Sequence, residues 1–243
     1  MQTITFLIPV YNNASTIKLL CNNIQQIILK HTKSVVNILL VDDASTDESF
    51  EIMKQIKQQY SNVSILQLNY NHTQQYAFFA AAHYIESDFL IYISADLQED
   101  LVVVEKYLDE IEQYTNADLI IGFREHNNDF LIFRVISKLF YKLIKIKLPN
   151  MPEGGFDTGC VNKFLLQIFI QNFKKRDLVQ ATLLNNAKKI KLIPYTRLKS
   201  SSKGFKIKSL IFKIKYFIFS LISVYSNKKN TEPISFSIKQ YIP

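Results

Sequence analysis

The sequence predicts an α/β protein built on one mostly parallel sheet with helices on both faces. Three observations carry that prediction. Short apolar runs alternate with amphipathic stretches of helical period through the first half of the chain. The runs are continuously apolar, as strands covered on both faces must be. The connections are short, and polar or acidic clusters fall at the carboxyl ends of the strands, where open α/β sheets bind ligands.

Taken in order, Thr3–Val10 reads as a strand, Ala14–Lys30 as a helix, Val35–Val41 as a strand and Ser45–Tyr60 as a helix. Val63–Leu68 is a third strand, Thr73–Ile85 a helix, Phe89–Ile93 the fourth strand, Leu101–Tyr114 a helix and Ala117–Ile121 a fifth strand. Ser45 is placed to cap the second helix, with Asp47 in its first turn. Beyond Phe123 the pattern changes. Asp129–Ile146 is helical, with Arg134, Lys138, Lys142 and Lys145 within one narrow arc of it and large apolar residues almost everywhere else. Gly154–Val161 reads as a strand returning to the sheet, Lys163–Phe173 as a helix and Ile190–Tyr195 as an edge strand. Ile207–Tyr225 is a second basic, aromatic helix, and a polar tail without regular structure follows it.

A chain of 243 residues, 48% hydrophobic and 21% charged, is globular and long enough for a sizeable core. Two cysteines, Cys21 and Cys160, make no disulfide framework or zinc site, which fits a reducing cytoplasm. The net charge of +8 is unevenly spread: residues 1–141 carry 9 Lys/Arg against 17 Asp/Glu, residues 142–243 carry 20 against 4. Basic residues interleaved with large aliphatic side chains on helical patterns suit an anionic membrane surface. Recognisable nucleic-acid modules are missing, so no nucleic-acid partner is expected. The start of the chain runs straight into a strand with no basic leader, so no signal peptide is expected. The apolar stretch at Tyr216–Asn227 is far shorter than the ~20 residues a spanning helix needs, so no membrane span is predicted.

Four segments at strand ends converge on one cleft that suits a nucleotide. They are Ile8-Pro9-Val10-Tyr11-Asn12-Asn13, Val41-Asp42-Asp43-Ala44-Ser45-Thr46-Asp47, Asn69-Tyr70-Asn71-His72-Thr73-Gln74-Gln75 and Ser94-Ala95-Asp96-Leu97-Gln98-Glu99-Asp100. The paired carboxylates Asp42 and Asp43 can accept hydrogen bonds from a base or ribose. Asp96 and Gln98, two apart on an extended segment, project to one side and could share a hard cation such as Mg²⁺ or Mn²⁺.

With IPVYNN, VDDASTDES, NHTQQYA, SADLQED, GFR and GGFD in this order and spacing, residues 3–205 resemble the inverting family 2 glycosyltransferases of the GT-A fold. Within that family the chain is similar to the polyprenyl-phosphate sugar transferases, relatives of dolichol-phosphate mannose synthase and the bactoprenol glucosyltransferases. The resemblance implies that Pro9, Tyr11 and Asp43 line the nucleotide pocket, and that Asp96 and Gln98 hold a Mg²⁺ or Mn²⁺ ion on the donor diphosphate. It implies that Asp157 lies near the reacting centre, that Arg124 and Arg134 hold donor and acceptor phosphates, and that Arg197 and Lys199 form a basic site on a later loop. A phosphate acceptor needs alignment more than a base, whereas a sugar hydroxyl needs a carboxylate to take its proton, with Asp157 the first candidate.

Three positions depart from the family pattern: Ser94 stands where an aspartate usually opens the acidic motif, Asn12 replaces a common glutamate, and the loop from Arg197 to Gly204 is a weak version of the usual basic site. The expectation is a metal-dependent inverting glycosyltransferase. It would use a nucleotide-diphosphate sugar and a polyprenyl-phosphate acceptor in bacterial cell-surface polysaccharide synthesis, peripheral at the cytoplasmic, inner face of the plasma membrane. Transfer to a saccharide hydroxyl of a growing glycan stays open, as does a catalytically silent relative that binds nucleotide sugar, motivated by Ser94. Residues 1–205 are expected to form the GT-A domain, and residues 206–243 a basic amphipathic helix and tail on the membrane surface.

Overall fold

The computed structural model describes residues 1–124, 131–196, 217–225 and 234–243, with the backbone alone at residue 124 and at residues 131–135. Among the described residues eight strands form one sheet in the order β7-β5-β6-β4-β1-β2-β3-β8. Strands β1 (Gln2–Val10), β2 (Ser34–Asp42), β3 (Val63–Leu68) and β4 (Phe89–Tyr92) are mutually parallel, with β1 between β2 and β4. Chain order moves outward from β1 through β2 to β3 and then jumps back across β1 to β4, which opens a crevice at the carboxyl ends of β1 and β4. On the far side β6 (Thr158–Asn162) runs antiparallel between β4 and β5 (Leu119–Arg124), and β7 (Ile190–Tyr195) lies parallel to β5 at the edge.

The sheet separates two cores because side chains alternate faces along each strand. On β1, Ile4, Phe6, Ile8 and Val10 enter one core, and Leu7 the other. The first core is closed by α1 (Ile17–Ile28), α2 (Ser49–Gln59) and α4 (Val102–Glu112), each with one apolar stripe. In α1 that stripe is Ile17, Leu20, Cys21, Ile24 and Ile27. The second core takes α3 (Thr73–Ala82), α5 (Leu131–Lys147), α6 (Lys163–Asn172) and α7 (Val179–Asn186). Cys21 and Cys160 are free and buried, and burial lifts the Cys21 thiol to about 12.

Several elements depart from their sequence reading. Helix α2 starts at Ser49, and Ser45 does not cap it. The Ser45 Oγ instead accepts the Asn12 N–H at 3.1 Å, and Asp47 precedes the helix, accepting the Ser49 N–H at 2.9 Å. Strand β6 starts at Thr158, because Gly154 (φ 86°) and Gly155 (φ 71°) sit in left-handed conformations that turn the chain before it. Helix α7 was not foreseen. The polar tail, expected to lack regular structure, supplies β8 (Ile238–Ile242), antiparallel to β3. The sheet therefore draws on both sides of the expected boundary at residue 205. Of the expected helix Ile207–Tyr225, residues 217–225 are described and helical. Among the described residues no helix is long and apolar enough to cross a membrane.

Candidate active site

The loops after β1 and β2 are tied to each other by hydrogen bonds. The Asn12 side-chain oxygen accepts the N–H groups of Thr46 at 2.8 Å and Asp47 at 3.3 Å, and the Asp47 carboxylate accepts the Ala14 N–H at 3.2 Å. The Asn13 N–H reaches the Ser49 Oγ at 2.8 Å. Asn12 takes the left-handed conformation this crossing needs, with φ 53°, a region asparagine tolerates. Tyr11 stands beside this frame, 46% exposed, and Pro9 lies in β1 opposite Val41.

Asp42 and Asp43 occupy different environments despite their adjacency. Asp42 is fully buried: one carboxylate oxygen accepts the Ser45 N–H at 3.0 Å and the other the Gln67 amide at 3.0 Å. Asp43 is anchored by its own N–H to the Val10 carbonyl at 2.9 Å, and its carboxylate accepts the His72 N–H at 2.7 Å. Burial pushes the Asp43 carboxyl above the usual carboxylate range, against the lowering effect of the His72 hydrogen bond. Asp43 thus joins the second strand's loop to the third's.

Across the crevice, Asp96 and Gln98 do meet, but on a turn and not on an extended segment. Leu97 between them has φ 57°, and this folds the two side chains together. The Asp96 carboxylate accepts the Gln98 N–H at 3.2 Å and the Gln98 side-chain amide at 2.6 Å. The Thr16 hydroxyl holds this turn to the first loop through the Ala95 carbonyl at 2.7 Å. Among the described residues no three His, Cys, Asp or Glu side chains cluster as a metal site. One carboxylate and one amide on a half-buried turn nonetheless fit a small hard cation that draws its other ligands from phosphate and water.

Asp157 lies on the other side of the sheet's end, just past the Gly154–Gly155 turn. It lines a cavity of about 730 Å³ with Tyr92, Phe140, Ile144, Met151 and Phe156. Most of that wall is aromatic and aliphatic; Asp157 with Gln75 and Gln180 forms a polar end, and Thr73, Gln74 and Ser220 are its other polar residues. Gln75 accepts the Val179 N–H at 2.7 Å and Gln180 donates to the Phe156 carbonyl at 3.4 Å, so α3 and α7 together shape that end. Sequence reasoning missed Gln180, because α7 has only eight residues and no strong apolar periodicity to announce it.

The outer wall comes from α5 and the helical residues 217–225. Phe140 stacks on Phe217 with ring centroids 4.1 Å apart, and the Tyr225 hydroxyl donates to the Leu143 carbonyl at 2.7 Å. The outward faces of the same helices expose Leu139, Leu143 and Ile146, and Ile218 and Ile222, beside exposed Lys138, Lys142 and Lys147. Arg124 ends β5 and Arg134 is the fourth residue of α5, both with backbone alone described; Arg197 and Lys199 lie outside the described residues.

The sequence profile described as glycosyl transferase family 2 matches residues 5–167. The chain is 28% identical over 163 residues to undecaprenyl-phosphate 4-deoxy-4-formamido-L-arabinose transferase of Photorhabdus laumondii, covering 66% of this chain and 48% of that protein. It is 30% identical over 169 residues to the Edwardsiella ictaluri protein of the same name, with the same coverage. It thus spans about half the length of the curated relatives it matches. Among solved structures, glucosyl-3-phosphoglycerate synthase from Mycobacterium tuberculosis, in complex with Mn²⁺, UDP and phosphoglyceric acid, superposes with a TM-score of 0.64 at 13% identity. That match covers 91% of this chain and 78% of the other, and establishes the GT-A fold.

Proposed function

The chain belongs to glycosyl transferase family 2, and on that premise we propose that it moves a sugar from a nucleotide-diphosphate donor to a polyprenyl phosphate, with inversion. The observation that carries this reading is the cavity of about 730 Å³ whose wall is apolar and whose polar end holds Asp157. A glycan hydroxyl acceptor would call for a polar cleft lined by hydrogen-bonding groups; an apolar chamber suits the hydrocarbon next to a phosphate. The relatives named for undecaprenyl-phosphate transfer support the same acceptor class.

In this reading Pro9 and Tyr11 flank the nucleobase and Asp43 accepts hydrogen bonds from it or the ribose, while Asp42 braces the loop from behind. Asp96 and Gln98 would hold Mg²⁺ or Mn²⁺, which when bound offsets the charge of the diphosphate leaving group. Arg124, Arg134, Arg197 and Lys199 supply the cationic groups for donor and acceptor phosphates, where guanidinium forks bind bidentately. The acceptor phosphate is already anionic, so the chain's task is to align it for in-line attack. The lysine-flanked apolar faces of α5 and residues 217–225 suit the headgroup plane of an anionic membrane, at about 1 kcal/mol per Lys near the surface. That placement is the inner face of a bacterial plasma membrane, in cell-surface polysaccharide synthesis.

A second reading, transfer to a saccharide hydroxyl with Asp157 as base, is favoured by the partial exposure of Asp157 at the cavity's polar end. The test is nucleotide release from UDP-, GDP- and dTDP-sugars with Mn²⁺ or Mg²⁺, with and without undecaprenyl phosphate. Release that needs both metal and lipid supports the proposal. Release stimulated only by a glycan selects the second reading, and no release with any donor defeats both.

A further inference from the structure

The C-terminal strand reaches the donor loops through a continuous line of side chains. In register across the sheet, Gln240 of β8 lies opposite Gln67 of β3, and Gln67 opposite Asp42 of β2. The Gln240 amide donates to the Gln67 carbonyl oxygen at 2.8 Å, and the Gln67 amide donates to the Asp42 carboxylate at 3.0 Å. The other Asp42 oxygen accepts the Ser45 N–H at 3.0 Å, and the Ser45 Oγ accepts the Asn12 N–H at 3.1 Å. A second tie runs beside it: Asn69, at the start of the loop that ends on His72, bonds to Ser237 through both its N–H and its side-chain amide. Phe236 and Tyr241 pack this segment onto His83 and Tyr84 of the α3 end.

The direction of the line is fixed by chemistry. A carboxylate only accepts, so Gln67 must turn its NH₂ toward Asp42 and its oxygen toward β8. The group on β8 must therefore be a donor. If it were an acceptor, Gln67 would be drawn to reverse its amide and set an oxygen against a buried carboxylate. Asp42 would then lose the partner that holds it against the Ser45 N–H, and the frame tying the first two loops would loosen.

We propose that β8, through Gln240 and Gln67, is a positioning element for the nucleotide-binding loops, with Gln240 acting as an obligatory hydrogen-bond donor. This rests on the donor site proposed above. Neither residue touches the nucleotide. The test is binding of UDP, GDP and dTDP to the full chain with Mn²⁺ by calorimetry, in 1 M salt, where the Debye length is about 3 Å and added charge acts only locally. Gln240→Glu, nearly isosteric but accepting, weakens the dissociation constant about tenfold. Gln240→Lys keeps a donor on a half-exposed edge strand and stays within about twofold of wild type. Gln240→Met, which removes the donor without adding an acceptor, falls between them. In turnover the Gln240→Glu effect appears in the donor KM and leaves kcat within about twofold. Equal affinities in all variants, or equal losses in the Glu and Lys variants, overturn the inference and leave the donor site standing. Failure of the wild-type chain to bind any of the nucleotides overturns both.

Discussion

The two sides of the site are built from different materials. The side proposed to take the donor is a frame of short polar loops in which nearly every turn is held by a named hydrogen bond: Asn12 to Thr46, Asp43 to His72, Thr16 to Ala95. The side proposed to take the acceptor is a chamber whose shape comes from aromatic packing, with Phe140 on Phe217 at its outer wall and Phe78 edge-on to Tyr92 within it. Hydrogen bonds are directional and expensive to leave unmade when buried, so the donor frame tolerates few arrangements. Apolar packing constrains volume more than direction, so the chamber would suit the flexible hydrocarbon of the proposed acceptor. On the proposed reading, the contrast would let one sheet end hold a nucleotide rigidly on one flank and a lipid loosely on the other.

The largest expected effect comes from breaking the donor side alone. Asp96→Ala removes the carboxylate of the Asp96–Gln98 turn, and turnover falls by about two orders of magnitude or more, the scale of losing a principal charge-stabilising group. Binding of a prenyl phosphate stays within about twofold, since Asp96 is not among the groups lining the chamber. Loss of lipid binding in parallel would show that the two flanks are one coupled unit.

The reciprocal test fills the chamber. The chain contains no tryptophan, so Ile144→Trp, at a residue 1% exposed on the cavity wall, places a single fluorophore there. The acceptor KM rises about tenfold while donor affinity holds, the penalty expected for misplacing bulk in an apolar pocket. The tryptophan emission shifts on titration with geranylgeranyl phosphate and not with inorganic phosphate. An unchanged acceptor KM and unchanged emission would empty the chamber of its proposed role.

The same contrast governs what the sequence made legible. The four parallel strands and the polar clusters at their ends were readable because buried parallel strands are continuous apolar runs and loop chemistry is local. The division of labour between Asp42 and Asp43 was not, since it depends on Gln67 lying opposite Asp42 on the neighbouring strand β3. Strand β8 was hidden because Ile238-Lys239-Gln240-Tyr241-Ile242 is a short, half-polar edge strand that only its pairing with β3 defines. The chamber was hidden for a stronger reason: its walls come from α3, α5, α7 and residues 217–225 together, and no local pattern encodes a space between distant helices.

A smaller effect sharpens the polar side. Asp43 is buried with its carboxyl raised by desolvation, so the folded state holds its proton to higher pH than the unfolded chain does. As pH rises from the unfolded value through the folded one, the unfolded state loses this proton first and stability falls. Asp43→Asn keeps an oxygen for the His72 N–H and removes that penalty. Its melting temperature is modestly above wild type at pH 7, and the difference closes as pH falls to the acid side of that window, while nucleotide affinity declines. A melting temperature below wild type at pH 7 would mean the charge itself holds the loop.

The smallest effect falls where the two flanks meet. Thr73 follows His72, whose N–H holds Asp43, and is itself one of the residues lining the chamber. It is also an exposed, β-branched residue at φ 73°, a conformation that suits glycine. Such strain costs on the order of 1–3 kcal/mol, whereas the added freedom of an unfolded glycine costs roughly 0.5–1. Thr73→Gly therefore stabilises the chain by about 1 kcal/mol in urea denaturation, and Thr73→Ala, which keeps a Cβ in the same conformation, does not. If glycine stabilises the fold and nucleotide affinity drops, the strained residue holds His72 against Asp43, and the rigid flank draws its rigidity in part from the wall of the loose one. If glycine stabilises and affinity is unchanged, the flanks meet at Thr73 without depending on each other there. A glycine variant no more stable than the alanine variant would show that the turn is held without strain and that the hydrogen bonds of the donor frame alone set its shape.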